Sequence, residues 1–318
     1  MSFLGIDLGG ANLKVVSKKG WQIIYFPIWK KFGELERLLR SIAKKHSADK
    51  AGVTMTAELS DAFRSKEEGV QKIAEVCRKV FAEAFFLNLD GRLTKEIDDP
   101  RKYAASNWVA SVAFLIEDGR ENFVFVDIGS TTTDIIPVTN KPKAAFTDFE
   151  RLKRGELVYF GVLRTPVFYV LHEIYSAPLC PEFFSITADV FRVTGDIGEK
   201  DYTCETPDGR GKDLESCMRR LSRSICCDLD ELGIEKAREI ASRAKLNMIL
   251  KLSEAIRGKL EEYGISSVLG CGIGEFLIEE SCRGIKANFT KLSEIYGDYS
   301  KLFPAYSIFK LVEKEVEE

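Results

Sequence analysis

Histidine is almost absent from this chain of 318 residues: only His46 and His172 occur, beside two glutamines (Gln22, Gln71) and three tryptophans. With only two histidines, and none of the eight cysteines (77, 180, 204, 217, 226, 227, 271, 282) in a Cys-x-x-Cys pair, the spacings expected of a zinc site are missing. Their irregular spacing also argues against a disulfide framework. Most of them read as small buried hydrophobes, with Cys226 and Cys227 on an expected helix. No apolar run approaches the roughly 18 residues of a membrane span. The start, Met1-Ser2-Phe3-Leu4-Gly5-Ile6-Asp7, meets an acid at once and lacks the basic start and cleavage site of a signal peptide. A cytoplasmic protein with no membrane partner is expected. Charge of one sign is lacking too: 46 basic against 49 acidic residues give a net charge of −3, so no basic field points to nucleic acid. Charged residues at 30% with so little glutamine form a mild thermophile signature without functional content.

The length suggests two domains. Ser2–Leu8, Leu13–Val16 and Trp21–Pro27 read as strands, Glu34–Ser47 as a helix, Ala51–Thr56 as a buried strand and Lys66–Phe85 as a second helix. This order suggests an open mixed sheet covered by helices. A second half opens with the strands Asn122–Ile128 and Asp134–Val138. Glu150–Asn247 is expected to be mainly helical, broken near Pro166, Ala177–Pro181 and Gly195–Gly211. A long helix at Glu235–Tyr263, a strand at Ser266–Leu269 and a closing helix at Pro304–Val316 follow.

One pattern occurs twice, 120 residues apart. Ile6-Asp7-Leu8-Gly9-Gly10-Ala11-Asn12-Leu13-Lys14 aligns with Val126-Asp127-Ile128-Gly129-Ser130-Thr131-Thr132-Thr133-Asp134: a strand, an Asp, a Gly turn with small polar residues, and a strand again. A Rossmann or Walker loop would run into a helix, and neither of their motifs is present. Glycine lets the backbone take a positive φ and approach an anion, and turn amides form an anion nest. Ser130, Thr131, Thr132 and Thr133 add hydroxyl donors and Lys14 a cation. Asp7 and Asp127 repel phosphate, so their sensible role is to hold Mg²⁺ against it through waters. One Asp-Gly pair alone is adequately read as a hairpin turn; two in register argue for more. Val268-Leu269-Gly270-Cys271-Gly272-Ile273-Gly274-Glu275-Phe276 adds a third glycine loop, running from a strand into a helix N-terminus.

The paired hairpins with a late glycine loop resemble the acetate and sugar kinase, Hsc70 and actin superfamily. The resemblance implies an α/β, two-domain actin-like ATPase (ribonuclease H-like) fold with an interdomain cleft. The expected division is 1–119, 120–303 and a C-terminal helix, 304–318, returning to the first domain. Longer strings are similar to an archaeal branch of the hydantoinase/oxoprolinase family. They are Thr54-Met55-Thr56-Ala57-Glu58-Leu59, Asp148–Tyr159 continuing into Gly161-Val162-Leu163-Arg164-Thr165-Pro166, Thr187-Ala188-Asp189-Val190, and Asp201–Gly211. This match covers nearly the whole chain.

What it implies is a transfer in methanofuran biosynthesis. An (aminomethyl)furanmethyl diphosphate loses diphosphate, and the phenol oxygen of γ-glutamyltyramine takes the carbon. The implied partners are these two small molecules, with Mg²⁺ as cofactor; a homodimer is left open. Backbone N–H groups and Mg²⁺ would stabilise the departing diphosphate, and a phenol of pKa about 10 needs a general base. Asp134 and Asp189 are the candidates for that base, although each also reads as a solvated or capping aspartate. Arg151, Arg154 and Arg164 suit a phosphate or the γ-glutamyl carboxylate, or Glu150–Arg154 is only a solvated helix face. Asp201–Lys212 reads as a loop at the cleft mouth and His172 as a core or interface residue. Two other readings stand beside the transfer. One is an ATP-dependent kinase or amidohydrolase of the same superfold, using Mg·ATP; the other is a non-catalytic scaffold like the actin-like filaments.

Overall fold

The computed structural model describes residues 2–317. Its principal strands are β1 (Phe3–Gly9), β2 (Asn12–Ser17), β3 (Gly20–Tyr25), β4 (Lys50–Thr56), β5 (Glu83–Leu87), β6 (Leu93–Thr94), β7 (Phe123–Ile128), β8 (Thr133–Thr139), β9 (Leu157–Val158), β10 (Ser267–Cys271) and β11 (Asn288–Lys291). The principal helices are α1 (Leu35–His46), α2 (Lys66–Val80), α3 (Asn107–Glu117), α4 (Asp148–Arg154), α5 (Thr187–Thr194), α6 (Leu214–Arg223), α7 (Ile234–Tyr263), α8 (Glu275–Ile285) and α9 (Phe303–Glu317). The chain forms two compact units. One runs to Glu121 and takes in Asn140–Asp148 and the chain from Tyr296 onward; the other comprises Asn122–Thr139 and Phe149–Ile295.

In the first unit the sheet order is β3-β2-β1-β4-β5-β6, with β1 antiparallel to β2 and parallel to β4. Strand alternation assigns its two faces. Leu4, Ile6 and Leu8 join Leu39 and Ile42 of α1 and Ile73 of α2 in one core, while Phe3 packs with Phe309 of α9 in another. Gly5 and Gly52 are partners across β1 and β4. A Cβ on Gly5 would stand 2.2 Å from the Ala305 carbonyl oxygen, and one on Gly52 2.4 Å from Val312 Cγ2. The two missing side chains form the seat of α9.

The helix expected through Phe85 stops at Val80 instead. Phe81 turns to extended backbone, and Ala84, Phe85, Phe86 and Leu87 are buried on β5, parallel to β4. An apolar run continuing past a helix cannot be told from a strand by periodicity.

In the second unit the strand path is β9-β8-β7-β10-β11, with β7 antiparallel to β8 and parallel to β10. All six residues of β7 are buried. The 30-residue α7 buries Ala237, Ile240, Ala241, Ala244, Met248, Leu252 and Ile256 at three- and four-residue steps and ends at Gly264 with φ +64°. The span expected to be mainly helical is broken by β9 and by loops between α4, α5 and α6. Cys226 and Cys227 lie beyond α6, Cys226 at φ +58°, so they are not helical neighbours. His172 is exposed and faces the Phe168 carbonyl rather than a core. Each unit thus carries the same device: an Asp-bearing strand, its hairpin return on one side, and a parallel strand on the other.

Candidate active site

In the second unit the hairpin turn lies between β7 and β8, and a strap of residues 160–165 covers its back. Gly129 N donates to Thr132 O at 3.0 Å and closes the turn. Val162 N donates to Gly129 O at 3.0 Å, and the amides of Leu163 and Arg164 donate to Ser130 O at 3.0 and 2.9 Å. The Thr133 hydroxyl donates to Phe160 O at 2.8 Å. Gly161 is the close approach in this strap: a Cβ there would lie 2.4 Å from Thr131 N and 2.5 Å from Ser130 C. Arg164 reaches over the turn, its Nη1 3.3 Å from Thr131 Oγ1.

The third glycine loop joins the same place. Cys271 is the register partner of Asp127, and Gly274 N donates to Ile128 O at 3.1 Å. Gly272 has φ +92°, and a Cβ on it would meet Asp127 Oδ1 and Ile128 O at 2.4 Å each. A Cβ on Gly270 would stand 2.6 Å from Phe289, and one on Gly274 would strike the Ile128 side chain. The structure therefore gathers Asp127, Gly129–Thr133, Arg164, the loop Gly270–Gly274 and the N-terminus of α8. Helix N-termini and turn amides at the carboxyl ends of parallel strands favour anions.

In the first unit Asp7 and Lys14 are register partners, with Nζ 3.2 Å from Oδ2. The turn Gly9-Gly10-Ala11-Asn12 is held from behind by Phe26 N to Ala11 O at 2.8 Å and Ile28 N to Gly10 O at 3.0 Å. Thr56, at the end of β4, brings Oγ1 to 3.6 Å from where a Gly9 Cβ would stand. None of Gly9, Gly10 and Gly129 takes a positive φ; only Gly272 among the glycines proposed for the site does. Close packing demands glycine at 161, 270, 272 and 274, whereas an added Cβ would meet nothing within 4 Å at Gly10 and only Thr132 O at 3.7 Å at Gly129.

The other sequence candidates are distributed differently. Asp134 and Arg151 pair with each other, both buried, and Arg151 also donates to Glu156 O at 3.3 Å. Arg154 is about half exposed, 4.0 Å from Glu156. Asp189 is wholly buried: its carboxylate accepts from Arg220 Nε at 2.9 Å and Nη2 at 2.7 Å, from the Tyr202 hydroxyl at 3.1 Å and from Ile186 N at 3.1 Å. Burial pushes the Asp189 carboxyl up while Arg220 opposes it. Because a guanidinium keeps its proton, the arrangement reads as a charged, closed pair. Arg220 also binds Asp208 Oδ1 and Gly211 O at 3.0 Å each, so this network pins the loop 201–213. Nothing in the sequence marked Arg220 as the partner, because the pair spans 31 residues.

Among the described residues no three His, Cys, Asp or Glu side chains converge as a metal cluster. Mg²⁺, however, is commonly held by one or two carboxylates with waters and substrate phosphates. Asp7 in the first unit and Asp127 in the second are each a buried carboxylate near the end of its strand, the donor type that this mode uses. No helix among the described residues is long and apolar enough to cross a membrane.

Two solved structures show the same architecture. A ROK family glucokinase from Streptomyces griseus, in complex with glucose and AMPPNP, aligns at TM-score 0.50 and 11% identity over 98% of this chain and 99% of that one. Nucleotide-free acetone carboxylase aligns at 0.56 and 11% over 96% of this chain and 70% of that one. The fold is that of the actin-like ATPases. Within it, the chain belongs to the hydantoinase/oxoprolinase family, whose pattern matches residues 49–310. It is 36% identical over 328 aligned positions, 99% of this chain and 98% of the relative, to the (4-{4-[2-(gamma-L-glutamylamino)ethyl]phenoxymethyl}furan-2-yl)methanamine synthase of Methanocaldococcus jannaschii. The enzyme of that name from Methanococcus vannielii is 32% identical over 64% of this chain and 96% of its own length.

Proposed function

We propose that this protein condenses an (aminomethyl)furanmethyl diphosphate with the phenol of γ-glutamyltyramine, releasing diphosphate, in methanofuran biosynthesis. The observation that carries this reading is the end-to-end match to the Methanocaldococcus jannaschii synthase. In this reading the turn Gly129–Thr133, Arg164 and the amides opening α8 bind the diphosphate, and Gly9, Gly10, Asn12 and Lys14 add a second set of donors. Asp7 and Asp127 would hold Mg²⁺, which when bound neutralises charge on the leaving group. Preorganised amides and the Arg164 guanidinium favour the departing diphosphate over the ester, which is where such donors accelerate a reaction. The substrate's electron-rich furan supports positive character at the carbon being transferred.

The test is direct. Purified protein, Mg²⁺, the furanmethyl diphosphate and γ-glutamyltyramine should yield the coupled ether by mass, with one diphosphate per ether. ATP binding with phosphate release and no ether would instead favour an ATP-dependent amidohydrolase or kinase.

A further inference from the structure

The acceptor phenol must lose a proton, and neither Asp134 nor Asp189 is open to take it, since each is closed in a buried ion pair. A different carboxyl stands at the carboxyl end of the parallel strands of the first unit. Glu58 follows β4 by two residues, in the turn just past Thr56, the residue whose hydroxyl sits against Gly9. Only 1% of Glu58 is exposed.

A buried acid that serves the fold is normally saturated with donors, as Asp189 is. Glu58 is not: its Oε2 is buried without a hydrogen-bond partner among the described residues. Two residues on, the Ser60 hydroxyl is also buried and unpartnered among them. Two orphaned polar atoms in one turn mark a place built to meet something else. The backbone there is tightly constrained. A Cβ on Gly69 of α2 would lie 2.5 Å from Glu58 O, and Ser106 N donates to Met55 O at 3.2 Å. Thr54 and Ser106 hydroxyls meet at 2.9 Å beneath the turn. The neighbouring Ala105 is held at φ +52°, a left-handed conformation that costs an alanine about 1 kcal/mol or more.

We infer that Glu58 is the proton acceptor for the phenol, with Ser60 beside it to orient the acceptor oxygen. This rests on the proposed transfer. The phenol O–H bond breaks and its proton passes to Glu58 Oε2. The freed oxygen pair forms the bond to the furan methylene carbon as the carbon–oxygen bond to diphosphate breaks, and diphosphate leaves with that electron pair. Glu58 then returns the proton to solvent.

The electrostatics are consistent with such a task. Burial pushes the Glu58 carboxyl up to about 7, and the nearby Asp148 adds to the rise. The backbone amides of Glu58 and Ala105 and the Lys66 ammonium oppose it, and Lys66 is itself 3.6 Å from Asp148. An acceptor poised near the working pH transfers protons most effectively.

The experiment compares the full-length protein with Glu58→Gln and Glu58→Asp. It uses γ-glutamyltyramine and a ring-fluorinated analogue of more acidic phenol, from pH about 5.5 to about 9. Glu58→Gln should lose roughly 10²- to 10⁴-fold in kcat with little change in KM for the diphosphate, and the loss should shrink with the fluorinated acceptor. The acidic limb near pH 7 should disappear in Glu58→Gln and persist, at reduced rate, in Glu58→Asp. A Glu58→Gln protein within roughly threefold of wild type overturns the assignment alone, as does a loss independent of acceptor acidity. Should Glu58→Gln fail to fold, a Glu58→Asp protein without the acidic limb overturns it too. Wild type that makes no ether overturns the transfer reading and this assignment with it.

Discussion

Glu58 also has a consequence for stability that needs no substrate. Its folded carboxyl keeps its proton up to about 7, whereas the ordinary value is 4.5. Between those values the native state binds the extra proton, so stability is full below the lower one and falls as pH rises through the upper. The shift corresponds to about 3 kcal/mol. Denaturant midpoints measured across this window should decline with pH in wild type, and Glu58→Gln should remove much of the decline. Equal slopes in the two proteins would contradict the burial account. Asp189 makes the contrast at the same scale. It is as deeply buried as Glu58, yet Arg220, Tyr202 and the Ile186 amide satisfy it, which identifies it as an anchor for the loop 201–213.

The elements around the second hairpin depend on side chains that are missing. Gly161→Ala would set a Cβ 2.4 Å from Thr131 N, against backbone that cannot yield as a side chain would. It should cost about 1–3 kcal/mol or more and weaken diphosphate binding, read by urea denaturation and calorimetry. Gly258 serves as the comparison: it lies exposed inside α7, with nothing within 4 Å of an added Cβ. Gly258→Ala should stabilise the protein by about 0.5–1 kcal/mol, because alanine is the better helix former. If both substitutions behave alike, the strap at residues 160–165 does not hold the turn as described.

Across the whole molecule the same device is built twice, once per unit, with Asp7 on β1 and Asp127 on β7. If both hold Mg²⁺ for one reaction, Asp7→Asn and Asp127→Asn should each lower Mg²⁺-dependent turnover by roughly 10²-fold or more while the protein stays folded. The double variant should be little worse than either single one, since groups that act as a unit are not additive. Full activity in both single variants, with unchanged Mg²⁺ dependence, would remove the metal-holding role.

The hairpin repeat, the glycine loop, the strand β4 and the long helix α7 were all legible in the order of residues, because each is a local pattern of alternation, helical period or turn chemistry. The family strings were legible in another way, as a resemblance in the order of residues to a known family. What tertiary structure alone decided is which groups meet. Asp134 and Arg151 are 17 residues apart in sequence and Asp189 and Arg220 are 31, and only folding pairs them. The same holds for the end of α2. Val80 to Leu87, apolar but for Glu83, reads as a continuation of the helix until β4 offers a parallel partner. The paired aspartates remain the legible signature of the protein. Whether a carboxyl is available for chemistry depends on the donors that surround it, and those come from distant parts of the chain.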